Sequence, residues 1–161
     1  MLVEYDPAKD DANLAKHGVR LGFGARVFED GARLVLAPNF NPAVVKAAKA
    51  RGLLCMPGVA TPSEGFAALE AGADALKLFP GEMLGPPVMK AWRAVFPKGT
   101  PMFSVGGVGL HNLAAFKAAG AAGAGVGSWL YAPATPAAQV QERARQLSAC
   151  WAGTDAGPGP A

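Results

Sequence analysis

Short apolar runs recur along the chain from residue 33 onward, and each is followed by turn residues and then by a stretch of helical periodicity. The runs cover residues 33–37, 53–59, 75–79, 102–106 and 123–127, and their starts lie 20 to 27 residues apart. In each run the residues of both faces of the predicted strand are apolar, which is typical of parallel strands covered on both faces. Strands alternating with helices at this spacing predict an α/β fold of about five βα units with parallel strands.

The intervening helices carry their own start and stop signals. Thr61, Pro62 and Glu64 have the spacing of a capping box with proline at the first helical position, and Asn41-Pro42 opens another helix. Glycines at 52, 72 and 120 are placed to end helices. The pattern predicts helices near residues 41–52, 61–72, 87–96, 110–119 and 136–150, and it predicts core positions at Cys55, Met56, Trp92, Phe96 and Phe116.

The two ends of the chain lack this pattern. Residues 1–30 indicate short helices and no strand-and-turn unit, so we place a boundary near residues 30–31 and a main domain at 31–150. Residues 151–161 are rich in glycine and proline and are expected to form a disordered tail.

Composition narrows the function classes. The chain has 161 residues, 51% of them hydrophobic, enough for one domain with a substantial core. Its net charge of +3 comes from scattered basic residues, which gives no support to nucleic-acid or membrane binding. Cys55 and Cys150 lie far apart in no metal-binding spacing, and no signal or membrane-spanning segment is visible. We therefore expect a reduced, cytoplasmic protein without a metal site.

The third run carries a lysine, Lys77, in the sequence Ala-Leu-Lys-Leu-Phe-Pro of residues 75–80. Burial of a lysine disfavours its charged form, and a neutral amine attacks carbonyl carbons. The alternative is a lysine on an edge strand that reaches into water.

Glycine-containing turns close the next two runs, at Gly106-Gly107 and Gly127-Ser128. Such turns let backbone N–H groups approach an anion, and a following helix adds a favourable dipole. The alternative is tight turning without a ligand. Glu82, shortly after the lysine strand, is either a substrate contact or a surface acid. A strand lysine with two anion-binding turns suggests a Schiff-base enzyme that acts on a phosphorylated oxo compound.

Residues 33–150 resemble the C-terminal part of the 2-keto-3-deoxy-6-phosphogalactonate and phosphogluconate aldolase family. The motifs follow the family's order and spacing: Leu36-Ala37-Pro38-Asn39, Pro57-Gly58-Val59-Ala60-Thr61, Leu76-Lys77-Leu78-Phe79-Pro80, Val105-Gly106-Gly107-Val108 and Gly127-Ser128-Trp129-Leu130. Asn39 and Val105 are more similar to the phosphogalactonate branch.

This resemblance implies a partial (β/α)8 TIM barrel, homotrimeric in the family, and a class I aldolase active in galactonate degradation. Lys77 falls on the Schiff-base lysine, and Gly106, Gly107, Gly127 and Ser128 fall on substrate- and phosphate-binding positions. The implied substrate is 2-dehydro-3-deoxy-6-phosphogalactonate, cleaved to pyruvate and glyceraldehyde 3-phosphate without a metal or cofactor. The family's first three βα units, which supply its general base, have no match. The alternatives are therefore the phosphogluconate substrate, or a non-catalytic remnant that binds phosphate or forms oligomers.

Residues 1–30 resemble the opening of BrnT-type ribonuclease toxins. The matching stretches are Glu4-Tyr5-Asp6-Pro7-Ala8-Lys9, then Asn13-Leu14 with Lys16-His17-Gly18-Val19, and Val27-Phe28-Glu29-Asp30. They cover about the first third of such a toxin, and a ribonuclease fragment is the third hypothesis.

Overall fold

The strands and helices alternate along the chain in the computed structural model, which describes residue 31 and residues 33–153. In chain order they are β1 (Leu34–Leu36), α1 (Pro42–Lys49), β2 (Leu54–Met56), β3 (Gly58–Val59), α2 (Pro62–Glu70), β4 (Leu76–Leu78), α3 (Pro86–Val95), β5 (Met102–Val105), α4 (Leu110–Ala118), β6 (Gly123–Gly125) and α5 (Ala137–Ala152). The expected helical segment at residues 1–30, with its toxin-like motifs, lies outside the described residues, as does the expected tail from residue 154 onward.

All strand pairs are parallel, as predicted. β1 pairs with β2, and a second sheet has the order β3-β4-β5-β6. The apolar run 53–59, predicted as one strand, is divided at Pro57 into β2 and β3, which belong to different sheets. Proline has no N–H to donate to a ladder, so the hydrogen-bonded pairing changes there. The described strands do not close into a barrel, and the fold is a partial TIM barrel.

The helix signals correspond to real caps. The Asn41 side-chain oxygen accepts a hydrogen bond from the Ala43 N–H at 2.9 Å. Thr61 Oγ1 accepts from the Glu64 N–H at 3.2 Å, and Glu64 Oε2 accepts from the Thr61 N–H at 2.9 Å, which completes the predicted capping box. The last helix is two residues longer than predicted: Trp151 and Ala152 are helical rather than part of a tail, and the left-handed Gly153 ends the helix.

The main core lies between the four-stranded sheet and helices α2, α3 and α4. Leu76, Leu78 and Met102 are at most 1% exposed, and the core positions predicted at Trp92, Phe96 and Phe116 are buried against them. A smaller cluster of Val45, Ala48 and Cys55 joins α1 to β2. Successive strand residues point to opposite faces, so the other face of the larger sheet carries Lys77, Phe103 and Val105, which are partly exposed.

Within the described part of the chain, the structure contains no helix with the length and apolar character needed to cross a bilayer.

Candidate active site

Lys77 lies in the middle of β4, between two leucines that are fully buried on the opposite face. β4 is paired on both sides, with β3 and with β5, which rules out the alternative of an edge-strand lysine. The Lys77 side chain is itself half-buried. This burial lowers the pKa of the Lys77 amine from its ordinary value of 10.5, which enlarges the neutral, nucleophilic fraction.

The surroundings of Lys77 follow from the register of the sheet. Gly58, Lys77, Phe103 and Gly123 are successive Cα partners across the four strands, so the side chains of Lys77 and Phe103 project from one face. Phe103 packs over Gly123, where an added Cβ would lie 2.5 Å from a ring carbon. The amine is thus flanked by an aromatic residue on one neighbouring strand and by a residue without a side chain on the other.

Phe79 joins the lysine to the first glycine turn. Lys77 Nζ lies 4.3 Å from the centroid of the Phe79 ring. An added Cβ on Gly106 would lie 3.5 Å from Cε2 of the same ring. Gly106 and Gly107 directly follow β5 with φ angles of +101° and +64°, a backbone conformation that favours glycine. One aromatic ring therefore contacts both the predicted nucleophile and the predicted anion turn.

The second turn, Gly127-Ser128, is exposed and follows β6 on the same edge of the sheet. An added Cβ on Gly127 would meet no atom within 4 Å, so the space in front of this backbone is open. Trp129, the next residue after Ser128, packs on Gly109, where a Cβ would lie 2.6 Å from Cδ1 of the indole. This contact brings the two turns, which are 20 residues apart in sequence, side by side.

Asn112 holds the first turn in place, and the sequence reasoning did not identify it. Its side-chain oxygen accepts a hydrogen bond from the Gly109 N–H at 3.0 Å, and its Nδ2 donates to the Gly107 carbonyl at 3.0 Å. The spacing of three residues between Gly109 and Asn112 is that of a helix-capping pair, which was the available signal.

Glu82, for which the sequence allows a substrate contact or a surface acid, is exposed and lies on the first turn. An added Cβ on Gly107 would be 2.6 Å from Glu82 Oε2. A carboxylate in this position repels an anion at Gly107, so binding of an anion there requires the exposed Glu82 side chain to rotate away. His111, in the first turn of α4, is also exposed.

The remaining candidate ligands do not converge. Among the described residues no three or more His, Cys, Asp or Glu side chains are grouped as a metal site. Cys55 is buried in the smaller core cluster, where burial and then the nearby Asp74 carboxylate raise the pKa of its thiol. Its position is that of a packing residue, as predicted.

The fold and the site together define a parallel α/β protein with its candidate chemistry at the carboxyl ends of the strands, where barrel enzymes bind their ligands. The family model described as KDPG and KHG aldolase matches residues 22–145. The chain belongs to this aldolase family, as the sequence motifs predicted.

Relatives define the resemblance further. The 2-dehydro-3-deoxy-6-phosphogalactonate aldolase of Escherichia coli (strain K12) is 46% identical over 121 residues, which are 75% of this chain and 57% of that protein. A probable 2-dehydro-3-deoxy-6-phosphogalactonate aldolase of Rhizobium meliloti (strain 1021) is 44% identical over 119 residues, 74% of this chain and 56% of that protein. The chain therefore spans just over half the length of these relatives.

A solved structure shares the fold. The structure described as native KDPGal superimposes with a TM-score of 0.73 at 37% sequence identity, covering 93% of this chain and 66% of that one. The family model begins at residue 22, inside the stretch 1–30 that the apolar pattern sets apart.

Proposed function

We propose that this chain provides the Schiff-base lysine of a class I aldolase, Lys77, and that the substrate is 2-dehydro-3-deoxy-6-phosphogalactonate. The observation that carries the proposal is the position of Lys77: an interior strand, a partly desolvated amine and a shared aromatic neighbour with the Gly106 turn. The two relatives named for this activity, 44% and 46% identical, support the choice of substrate.

The proposed chemistry starts from the neutral amine. Lys77 Nζ attacks the C2 ketone, and loss of water gives a protonated imine that serves as an electron sink. A base takes the proton of the C4 hydroxyl, the C3–C4 bond breaks, and its electrons enter the imine to give an enamine. Glyceraldehyde 3-phosphate leaves, C3 is protonated, and addition of water releases pyruvate and restores the amine. The imine supplies the polarisation, so this route requires no metal or cofactor.

The glycine turns are proposed to hold the charged groups of the substrate. Gly106 and Gly107 on one side and Gly127 and Ser128 on the other offer backbone N–H groups close to an anion, as glycine turns do at phosphate sites. Asn112 acts as a positioning residue, because its bond to the Gly107 carbonyl fixes the orientation of the first turn.

Assembly and location complete the proposal. We place the protein in the cytoplasm as a homo-oligomer, a trimer on the family resemblance. The support within the fold is apolar surface: Leu34, Leu36 and Leu54 are 45%, 56% and 52% exposed on neighbouring positions of β1 and β2.

Two other functions have specific support. The phosphogluconate epimer is favoured by the family model, whose description names KDPG aldolase. A non-catalytic phosphate-binding role is favoured by the glycine turns, since backbone N–H groups at Gly106-Gly107 and Gly127-Ser128 can bind an anion without the chemistry of Lys77.

Borohydride trapping tests the proposal. The full chain is incubated with pyruvate and reduced, and the adduct is located by peptide mass spectrometry, with Lys77→Arg as the test variant and Lys46→Arg, on the exposed side of α1, as the control. We expect the adduct on Lys77 in the wild type and in Lys46→Arg, and none in Lys77→Arg. Trapping should become efficient at a lower pH than for an ordinary lysine, because burial lowers the pKa of Lys77.

The outcomes separate the alternatives. No adduct at saturating pyruvate, or equal labelling of Lys77→Arg, would contradict the Schiff-base role. An adduct on Lys77 without release of pyruvate from either sugar-acid epimer would favour the non-catalytic role. Comparing pyruvate release from the two epimers in a coupled lactate dehydrogenase assay decides between the substrates.

A further inference from the structure

A cavity lies at the start of β5, at the other end of this strand from the Gly106-Gly107 turn. It is formed by the end of α3 and the turn that leads into β5, and its volume is about 530 Å³. The residues that matter for its chemistry are Lys90, Arg93, Ala94, Pro97, Lys98 and Thr100. A cavity of this size holds a ligand of drug-like or mononucleotide dimensions.

The charged side chains that line this cavity are all positive. Lys90, Arg93 and Lys98 contribute three cations and no aspartate or glutamate lines the cavity, in a chain whose whole net charge is only +3. None of the three forms an ion pair or a hydrogen bond with the residues that the structure describes. Cations that converge without a carboxylate partner attract an anion.

The backbone fixes the positions of these cations. Lys90 and Arg93 are three residues apart on α3 and therefore share a face of the helix. The Arg93 side chain lies along Gly120, where an added Cβ would be 3.1 Å from Nε. Lys98 sits in a turn closed by Thr100, whose N–H and hydroxyl both donate to the Pro97 carbonyl, at 3.1 Å and 2.9 Å.

The inner wall is apolar. Ala94 and Pro97 line the cavity and are exposed, so they present carbon surface beside the cations, while Phe96 and Met102 lie beneath and are 4% and 1% exposed. A bare inorganic anion would leave that surface without a partner. The arrangement suits a molecule with an anionic end and an apolar or planar body.

We propose that this cavity binds an organic phosphate of mononucleotide size, separate from the site around Lys77. The phosphate groups contact Lys90, Arg93 and Lys98, and the organic body lies against Ala94 and Pro97. The proposal is independent of the aldolase activity, because no residue of the first site takes part.

Nuclear magnetic resonance titration of the full chain tests it, with ADP and pyrophosphate as probes. Amide signals of Gly99, Thr100 and Gly120 should shift saturably, with a midpoint distinct from any shift at Gly107 and Gly127. ADP should bind more tightly than pyrophosphate, because only ADP has a body that can contact the apolar wall.

Charge variants locate the binding. Arg93→Gln with Lys98→Gln should weaken ADP binding about tenfold, since each removed cation is worth roughly threefold for a partly exposed contact. Arg33→Gln with Lys46→Gln removes the same charges from exposed positions outside the cavity and should leave the affinity within about twofold. Equal losses in the two double variants, or shifts that never saturate, would overturn the site. Equal affinities for ADP and pyrophosphate would overturn the proposed organic ligand.

Discussion

Gly65, in the middle of α2, provides a sharp test of the packing that supports β4. The residue is buried, and an added Cβ would lie 2.3 Å from Cζ of Phe96, 2.8 Å from Cε1 and 3.3 Å from Cδ1 of Leu76. Leu76 immediately precedes Lys77 on β4. Replacing Gly65 by alanine therefore forces an extra methyl group against the surface on which the lysine strand rests.

The size of the effect follows from two opposing terms. Alanine in a helix interior is favoured over glycine by about 1 kcal/mol. Overpacking a core by one carbon costs about 1–3 kcal/mol. The upper part of that range applies here, because carbon atoms normally approach no closer than about 3.5 Å and the Phe96 ring is confined. Its centroid lies 4.9 Å from that of Phe66 and 5.7 Å from that of Trp92.

We expect Gly65→Ala to lower the free energy of unfolding by about 1–2 kcal/mol, after the helix gain is subtracted from the overpacking cost. Urea denaturation followed by circular dichroism measures this change, provided that the dependence of the unfolding free energy on urea concentration is the same in both proteins. Ala67→Gly, two residues along the same helix, measures the helix preference of alanine over glycine and should lower the free energy of unfolding by about 1 kcal/mol. In the double variant with Phe96→Leu, the smaller side chain should relieve the clash and give a favourable coupling of about 1 kcal/mol. Stabilisation by Gly65→Ala, or additive effects in the double variant, would refute this account of the packing.

Two further predictions concern single polar groups. Ser104 Oγ is fully buried and has no hydrogen-bond partner among the described residues. Ser104→Ala should therefore be neutral or stabilise the protein by up to about 2 kcal/mol, whereas Ser63→Ala, at an exposed position, should not stabilise it. A loss of stability of Ser104→Ala in urea denaturation would show that the hydroxyl is hydrogen-bonded. The pKa of Glu64 is lowered from its ordinary 4.5, mainly by the hydrogen bond from the Ala60 N–H and further by those from the Thr61 hydroxyl and N–H, despite some desolvation. The stability that these bonds provide is therefore present above pH 4.5 and should be lost as the pH falls below that value. Glu64→Gln, measured by thermal unfolding between pH 3 and 6, should reduce this acid-induced loss, and an unchanged pH dependence would contradict the assignment.

Local signals predicted the elements of this fold well. The Thr61–Glu64 capping box, the Asn41 cap and the glycine ends of helices are short-range features, and each depends on residues within one helical turn. The division of the run 53–59 was not predicted, although Pro57 was visible. Which sheet each half joins depends on strands that are distant in sequence, and the apolar pattern of both halves is the same.

In the candidate site, too, features that depend on residues distant in sequence could not be predicted. The register of Lys77 with Phe103 was not predicted, because it depends on pairing between strands that are distant in sequence. The turn at Gly106 could be anticipated. The contact of Glu82 with Gly107 and the packing of Trp129 on Gly109 could not, because both depend on loop conformations after different strands. The basic cavity was missed for a further reason: its cations come from one helix and the next turn, and as single residues they are ordinary surface charges.

The two faces of the larger sheet differ in a way that bears on the reactivity of Lys77. Helices α2, α3 and α4 bury Leu76, Leu78 and Met102 almost completely, whereas Lys77 and Phe103 on the other face remain partly exposed. In a closed barrel that second face is filled by layers of side chains. Desolvation is what lowers the pKa of Lys77, and here it is only partial. An apolar cover over this face excludes more water from the amine and lowers its pKa further. The pH at which Lys77 becomes reactive therefore reports how completely the open face is covered.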